Sequence, residues 1–90
     1  MLESRLESQS VKHAKKLGWE GFKLTRRSAP DRLFVHPTGK NIFVEFKQLG
    51  EKPKAHQTRE HARLRDCGFY VYVIDNLVDF KAALLWELET

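Results

Sequence analysis

Residues 32–47 constrain this chain most. Two short apolar runs, Arg32–His36 (RLFVH) and Asn41–Lys47 (NIFVEFK), flank Pro37-Thr38-Gly39-Lys40, where Pro and Gly supply turn chemistry. The pattern predicts an antiparallel hairpin. Alternation along its second strand puts Phe43, Glu45 and Lys47 on one face and Ile42, Val44 and Phe46 on the other. A tight turn then brings Asp31, just before the first strand, across from Glu45. A bulge would shift this pairing by one residue and keep the proximity. An otherwise apolar strand thus carries two acids and an ammonium at one end.

The rest of the chain supplies a frame for that hairpin. Residues 2–17 read as a helix with Leu2, Leu6, Ala14 and Leu17 on one face, stopped by Gly18. Arg5, Lys12, Lys15 and Lys16 gather on its opposite face. A strand follows at Gly21–Arg26. Beyond the hairpin, the polar loop Gly50–Lys54 leads into a helix over Ala55–Cys67, ended by Gly68. Phe69–Asp75 (FYVYVID) is the clearest strand, and Asn76 caps a last helix over Leu77–Leu88. The order α-β-β-β-α-β-α predicts an α/β fold, a mixed sheet flanked by helices. Ninety residues, 41% hydrophobic and 31% charged, suit one globular domain spanning 1–90. No apolar run approaches a membrane span. The charged N-terminus is not a signal peptide, so a cytoplasmic location is expected. Cys67, the only cysteine, excludes an intrachain disulfide and a Cys-rich zinc site, and is expected to be a small buried residue. A net charge of +4 leans weakly toward a polyanionic partner.

Two neighbouring carboxylates repel unless something positive lies between them. A proton, Lys47 or a divalent cation could do so. Mg²⁺ suits the set best, since it takes hard oxygen ligands, often one or two carboxylates with waters and a phosphate oxygen. Lys47 beside it could stabilise charge developing on an attacked phosphate or help to activate water. For a lone Glu-x-Lys in a strand, a salt bridge on a solvated face would be the ordinary reading. Pro30-Asp31 at hairpin spacing, the apolar strand and a further acid in the first helix argue against it here. That acid is Glu7, which falls beside Val11 and Ala14 on the apolar side of the helix. Glu3 lies one turn earlier on the same face, and Glu7 is preferred because Glu3 is near the terminus. Gln57 shares a helical face with His61 and Leu64 and so points inward, although it could equally bond nearby backbone.

Pro30-Asp31 followed by Glu45-Phe46-Lys47 resembles the signature of the PD-(D/E)xK nuclease superfamily. Leu6-Glu7, Pro30-Asp31-Arg32, Phe43-Val44-Glu45-Phe46-Lys47 and Gln57, in this order, resemble more narrowly the compact VRR-NUC domains. The resemblance spans nearly the whole chain and implies a restriction-endonuclease-like core and a metal-dependent DNA endonuclease. It further implies Asp31, Glu45 and the carbonyl of Phe46 as ligands of Mg²⁺, with Mn²⁺ able to substitute. Glu7 would be the helix-borne acid near the metal, Lys47 the catalytic lysine and Gln57 a residue orienting the site. Branched DNA, including four-way junctions, is the substrate class it points to. Two departures concern the loops beside the site: Ser28 and Gly18-Trp19 stand where relatives usually carry Gly and two glycines.

Arg26, Arg27, Arg32, Lys52 and Lys54 flank the expected cleft and are candidate DNA-phosphate contacts. His13, His36, His56 and His61 form no metal pattern; His56 or His61 could touch DNA or assist proton transfer, but surface or helix-packing roles are expected for them. Trp19, Phe22 and Phe69 read as core. Two rivals to the nuclease reading are a DNA-binding module without catalysis and a basic structural protein. The final helix is apolar around almost its whole circumference, with Val78, Phe80, Leu84, Leu85, Trp86 and Leu88, more than covering a sheet requires. A homodimer through it is expected; the alternative is that Trp86 and Leu88 cap the monomer's own core.

Overall fold

A computed structural model of the chain describes residues 1–90. Its elements are α1 (Glu3–Lys16), β1 (Glu20–Lys23), β2 (Arg32–Val35), β3 (Asn41–Phe46), α2 (Ala55–Asp66), β4 (Val71–Ile74) and α3 (Leu77–Glu89). The expected order holds, with shorter strands. β1 starts one residue before the expected Gly21 and ends at Lys23, not Arg26, and β4 begins at Val71, not Phe69. The sheet runs β1-β2-β3-β4, with β1, β2 and β3 antiparallel and β4 parallel to β3 through the α2 crossover. This is the mixed α/β sheet flanked by helices that the element order predicts.

The face of β3 bearing Ile42, Val44 and Phe46 forms the core with α1 and α3. Phe80 of α3 lies with its ring 5.4 Å from that of Phe34 and 5.9 Å from that of Phe46. Leu6 and Ala14 of α1 complete the layer with Leu84 of α3. The opposite face of β3, with Phe43, Glu45 and Lys47, lies under α2 through Gln57 and His61. The strand is therefore covered on both sides, which removes a solvated-face role for its charges. Glu45 and Lys47 are both buried.

Three packing expectations need correction. Phe22 and Phe69 are exposed, because β1 is an edge strand and Phe69 precedes β4, with its ring edge-on to that of Phe43. Cys67 is exposed too, since it caps the solvent end of α2. Trp19 is buried as expected. Gly18 closes α1 at φ 92°, a conformation that favours glycine. Ser28 also has positive φ, 68°, which explains why glycine suits the position. Its hydroxyl is 2.8 Å from Nδ1 of His56, a contact that fastens the loop ahead of Asp31 to the start of α2. No helix is long and apolar enough to cross a membrane.

Candidate active site

The β2–β3 register pairs Arg32 with Val44 and Leu33 with Phe43, so Asp31 comes level with Glu45 as the hairpin spacing requires. Oδ2 of Asp31 accepts the backbone N–H of Phe46 at 2.7 Å. This bond fixes the carboxylate beside the end of β3. Burial pushes the Asp31 carboxyl above its ordinary value, and that N–H bond opposes the rise. Glu45 is driven further, to about 7, first by burial and then by the charge of Asp31, with Lys47 pulling it back. Lys47 Nζ lies 3.7 Å from Glu45 Oε2 and 4.0 Å from Glu51 Oε1.

The two helix-1 acids divide. Glu7 points into a basic pair: its Oε2 accepts from Lys23 Nζ at 2.8 Å and from Arg32 Nε at 2.7 Å. Lys23 and Arg32 are direct cross-strand partners, a like-charge pairing that would be unfavourable without an acid over it. Burial works against the charge of Glu7, but these bonds outweigh it and hold the carboxyl below its ordinary value. Glu3 has no such partner. Burial raises its carboxyl, and the charge of Asp31 adds to the rise, with Lys47 opposing and Glu51 contributing. Both acids therefore act on the Asp31–Glu45–Lys47 group: the charge of Glu7 adds to the rise of Asp31, and that of Glu3 to the rise of Glu45. Helix periodicity left this choice open because both lie on one face of α1; the register of Lys23 with Arg32 decides which of them acquires cationic partners.

Gln57 is oriented by the start of its own helix. Its Oε1 accepts the backbone N–H of Lys54 at 2.9 Å, an orphan donor of the first turn, which leaves Nε2 to donate to Glu45 Oε2 at 3.2 Å. One amide thus bonds both the start of its own helix and the Glu45 carboxylate. One turn on, His61 is buried with Nε2 3.7 Å from Glu45 Oε1, and burial, then Arg65 and Lys47, holds its ring below the ordinary histidine value. A surface or packing role is what a histidine outside any metal pattern leads one to expect, although the spacing of His61 from Gln57 sets it on the site-facing side of α2.

Of the expected DNA contacts, Arg27, Lys52 and Lys54 are exposed on the two loops leading from the site. Arg26 is also exposed, with its guanidinium 3.2 Å from Glu60. Arg32 is turned inward onto Glu7 and the carbonyl of Gly21, the latter at 2.9 Å. A hollow beside it is lined by Ser4, Ser8, Lys12 and Lys23.

The donor chemistry fits a hard cation. Asp31 and Glu45 offer carboxylate oxygens, and Glu45 Oε1 is buried without a hydrogen-bond partner. No group of three or more His, Cys, Asp or Glu side chains gathers into a metal site of its own. Two carboxylates completed by backbone oxygen and water is the pattern Mg²⁺ tolerates, and zinc does not favour it.

A mixed four-stranded sheet with Pro-Asp entering one strand and Glu-x-Lys ending the next defines a restriction-endonuclease-like protein. No family model matches the chain. It is 46% identical over 77 residues to "Putative nuclease p44" of Acyrthosiphon pisum secondary endosymbiont phage 1, spanning 82% of this chain and 83% of that relative. A solved structure described as "VRR_NUC domain" shares 34% sequence identity at a TM-score of 0.84, covering 91% of this chain and 92% of that one. The chain belongs to the VRR-NUC domain family of the PD-(D/E)xK superfamily.

Proposed function

We propose that the protein is a divalent-metal-dependent endonuclease that hydrolyses DNA phosphodiester bonds, using Mg²⁺ with Mn²⁺ as a substitute. The observation that carries this reading is the end of β3, where buried Glu45 and Lys47 lie 3.7 Å apart and Asp31 is held level with Glu45 by the N–H of Phe46. Two neighbouring acids, one of them buried, are costly unless a cation joins them. Asp31 and Glu45, with the carbonyl of Phe46, would hold the metal, with Glu7 as the supporting acid of α1 beside Asp31 and Glu3 one turn earlier on the same face. A cation held by these oxygens would supply positive charge against the phosphate oxygens under attack. Lys47 brings an ammonium to the same phosphate and a donor to the attacking water. Gln57 fixes the Glu45 carboxylate. Glu7 keeps Lys23 and Arg32 in place behind the site. Arg27, Lys52 and Lys54, with Lys12 and Lys23 at the neighbouring hollow, supply phosphate contacts that are blind to sequence.

So small a surface suits recognition of DNA shape better than of base sequence, and branched DNA is the proposed substrate. Labelled duplex, single strand, flap, fork and four-way junction incubated with Mg²⁺ test this directly. Junction cleavage that EDTA abolishes is expected. Binding without cutting of any of these DNAs, in Mg²⁺ or Mn²⁺, would favour the binding-module alternative.

A homodimer is the proposed assembly, because Val78, Leu85 and Trp86 of α3 stand exposed while Phe80, Ala83 and Leu84 fill the core. Leu88 packs against the monomer's own core, whereas Trp86 stands exposed. Sedimentation equilibrium at micromolar concentration should give a dimer for the wild type and a monomer for Trp86→Glu. A wild-type monomer that cuts a junction symmetrically would exclude it.

A further inference from the structure

We infer that His61 is a positioning residue for Glu45, holding the carboxylate oxygen that Gln57 leaves free. The inference rests on the reading of Glu45 as a metal ligand and adds a role for α2 to it. Gln57 and His61 are four residues apart on α2 and so project from one face. Gln57 donates to Oε2 of Glu45, and Nε2 of His61 lies 3.7 Å from Oε1. Both of these last atoms are buried, and neither has any hydrogen-bond partner. Orphaned buried polar atoms are rare, and a pair facing each other is more informative than either alone. The gap exceeds an N–H···O bond by less than about 1 Å, so a small tilt of the imidazole closes it. Packing alone does not account for the residue: a Leu would fill the space without burying a ring nitrogen.

Gripped at both oxygens from one rigid helix, Glu45 presents its lone pairs in a fixed direction. Partners of this kind typically contribute 10–100-fold to metal affinity. His61 touches neither metal nor DNA in this scheme; it acts through Glu45. The Nε2 atom must then carry the proton.

The full-length protein is tested by calorimetric titration with Mn²⁺ alone, beside His61→Leu, which keeps volume, and His61→Gln, which keeps an amide N–H donor. Expected are a 10–100-fold weaker Mn²⁺ affinity in His61→Leu and a value within threefold of wild type in His61→Gln. Cleavage by His61→Leu should recover at high Mn²⁺. In the metal-free wild type, ¹⁵N–¹H spectra should show Nε2 as the protonated nitrogen of His61. Wild-type affinity in a folded His61→Leu protein would overturn the inference, as would equal losses in both variants. Should His61→Leu not fold, His61→Met serves as the apolar replacement. A wild-type protein that takes up no Mn²⁺ would instead overturn the metal reading itself.

Discussion

Lys47→Met is expected to bind Mn²⁺ at least as tightly as the wild type while cleaving DNA about 10²–10³-fold more slowly, the usual cost of removing one charged group that acts on a transition state. The two effects separate because Lys47 acts on different partners in the two steps. In the resting protein its ammonium lies 3.7 Å from Glu45 and holds that carboxyl down against burial and Asp31. Removing it leaves the site more negative, which favours a cation. In the proposed reaction the same ammonium would oppose charge on the phosphate, and nothing else buried here would replace it. Methionine keeps most of the buried stem, so the comparison does not depend on a cavity. The metal-free variant should melt earlier than wild type, with added Mn²⁺ restoring much of the difference. Unchanged cleavage by a folded Lys47→Met protein would remove the lysine from the mechanism, and lost Mn²⁺ binding would make its role structural.

That prediction draws on a constellation largely legible in the sequence. Alternation and one turn sufficed to bring Asp31 level with Glu45 and to set Lys47 beside it, because strand side chains repeat every two residues and a register slip would have exposed Val44 and Phe46. What the sequence did not disclose depends on contacts between elements distant along the chain. Glu3 and Glu7 lie on one face of α1, and only the pairing of Lys23 with Arg32 gives Glu7 its two cationic partners. Arg32 looked like a phosphate contact for the same reason: its motif position was visible, its acidic partner 25 residues earlier was not. Phe22 and Phe69 read as core because hydrophobicity says nothing of whether a strand is an edge or where it begins. For α3, apolar residues all round announced a surplus, and the fold identifies it as Val78, Leu85 and Trp86. Leu84, at the centre of the same run, is wholly buried, so charge placed there would test folding and not assembly.

Glu45→Gln should stabilise the protein without metal and deprive it of the stabilisation that metal brings, so the order of melting temperatures reverses when Mn²⁺ is added. The first half follows from linkage. The Glu45 carboxyl is raised to about 7 from 4.5, chiefly by burial, so between those values the folded state binds more protons than the unfolded state. Stability from this group is complete below about 4.5 and is lost as pH rises through 7. A shift of this size, discounted for water reaching the site, corresponds to roughly 2 kcal/mol, or on the order of 10 °C for a domain this small. Glutamine keeps the shape and the acceptor for Gln57 but carries no charge, so its advantage over wild type should be small at pH 5 and full at pH 8. The second half follows from mass action: a ligand binding only the folded state stabilises it in proportion to its affinity, and an amide in place of a carboxylate forfeits most of that affinity for a hard cation. Asp31→Asn should behave alike with a smaller gain, since its carbonyl can still accept the Phe46 N–H that now meets Oδ2 at 2.7 Å. Four melting curves, wild type and Glu45→Gln with and without Mn²⁺ at pH 8, decide the matter. If Mn²⁺ raises both proteins equally, Glu45 is no ligand, and if the metal-free gap is the same at pH 5 and pH 8, its charge is not what the fold resists.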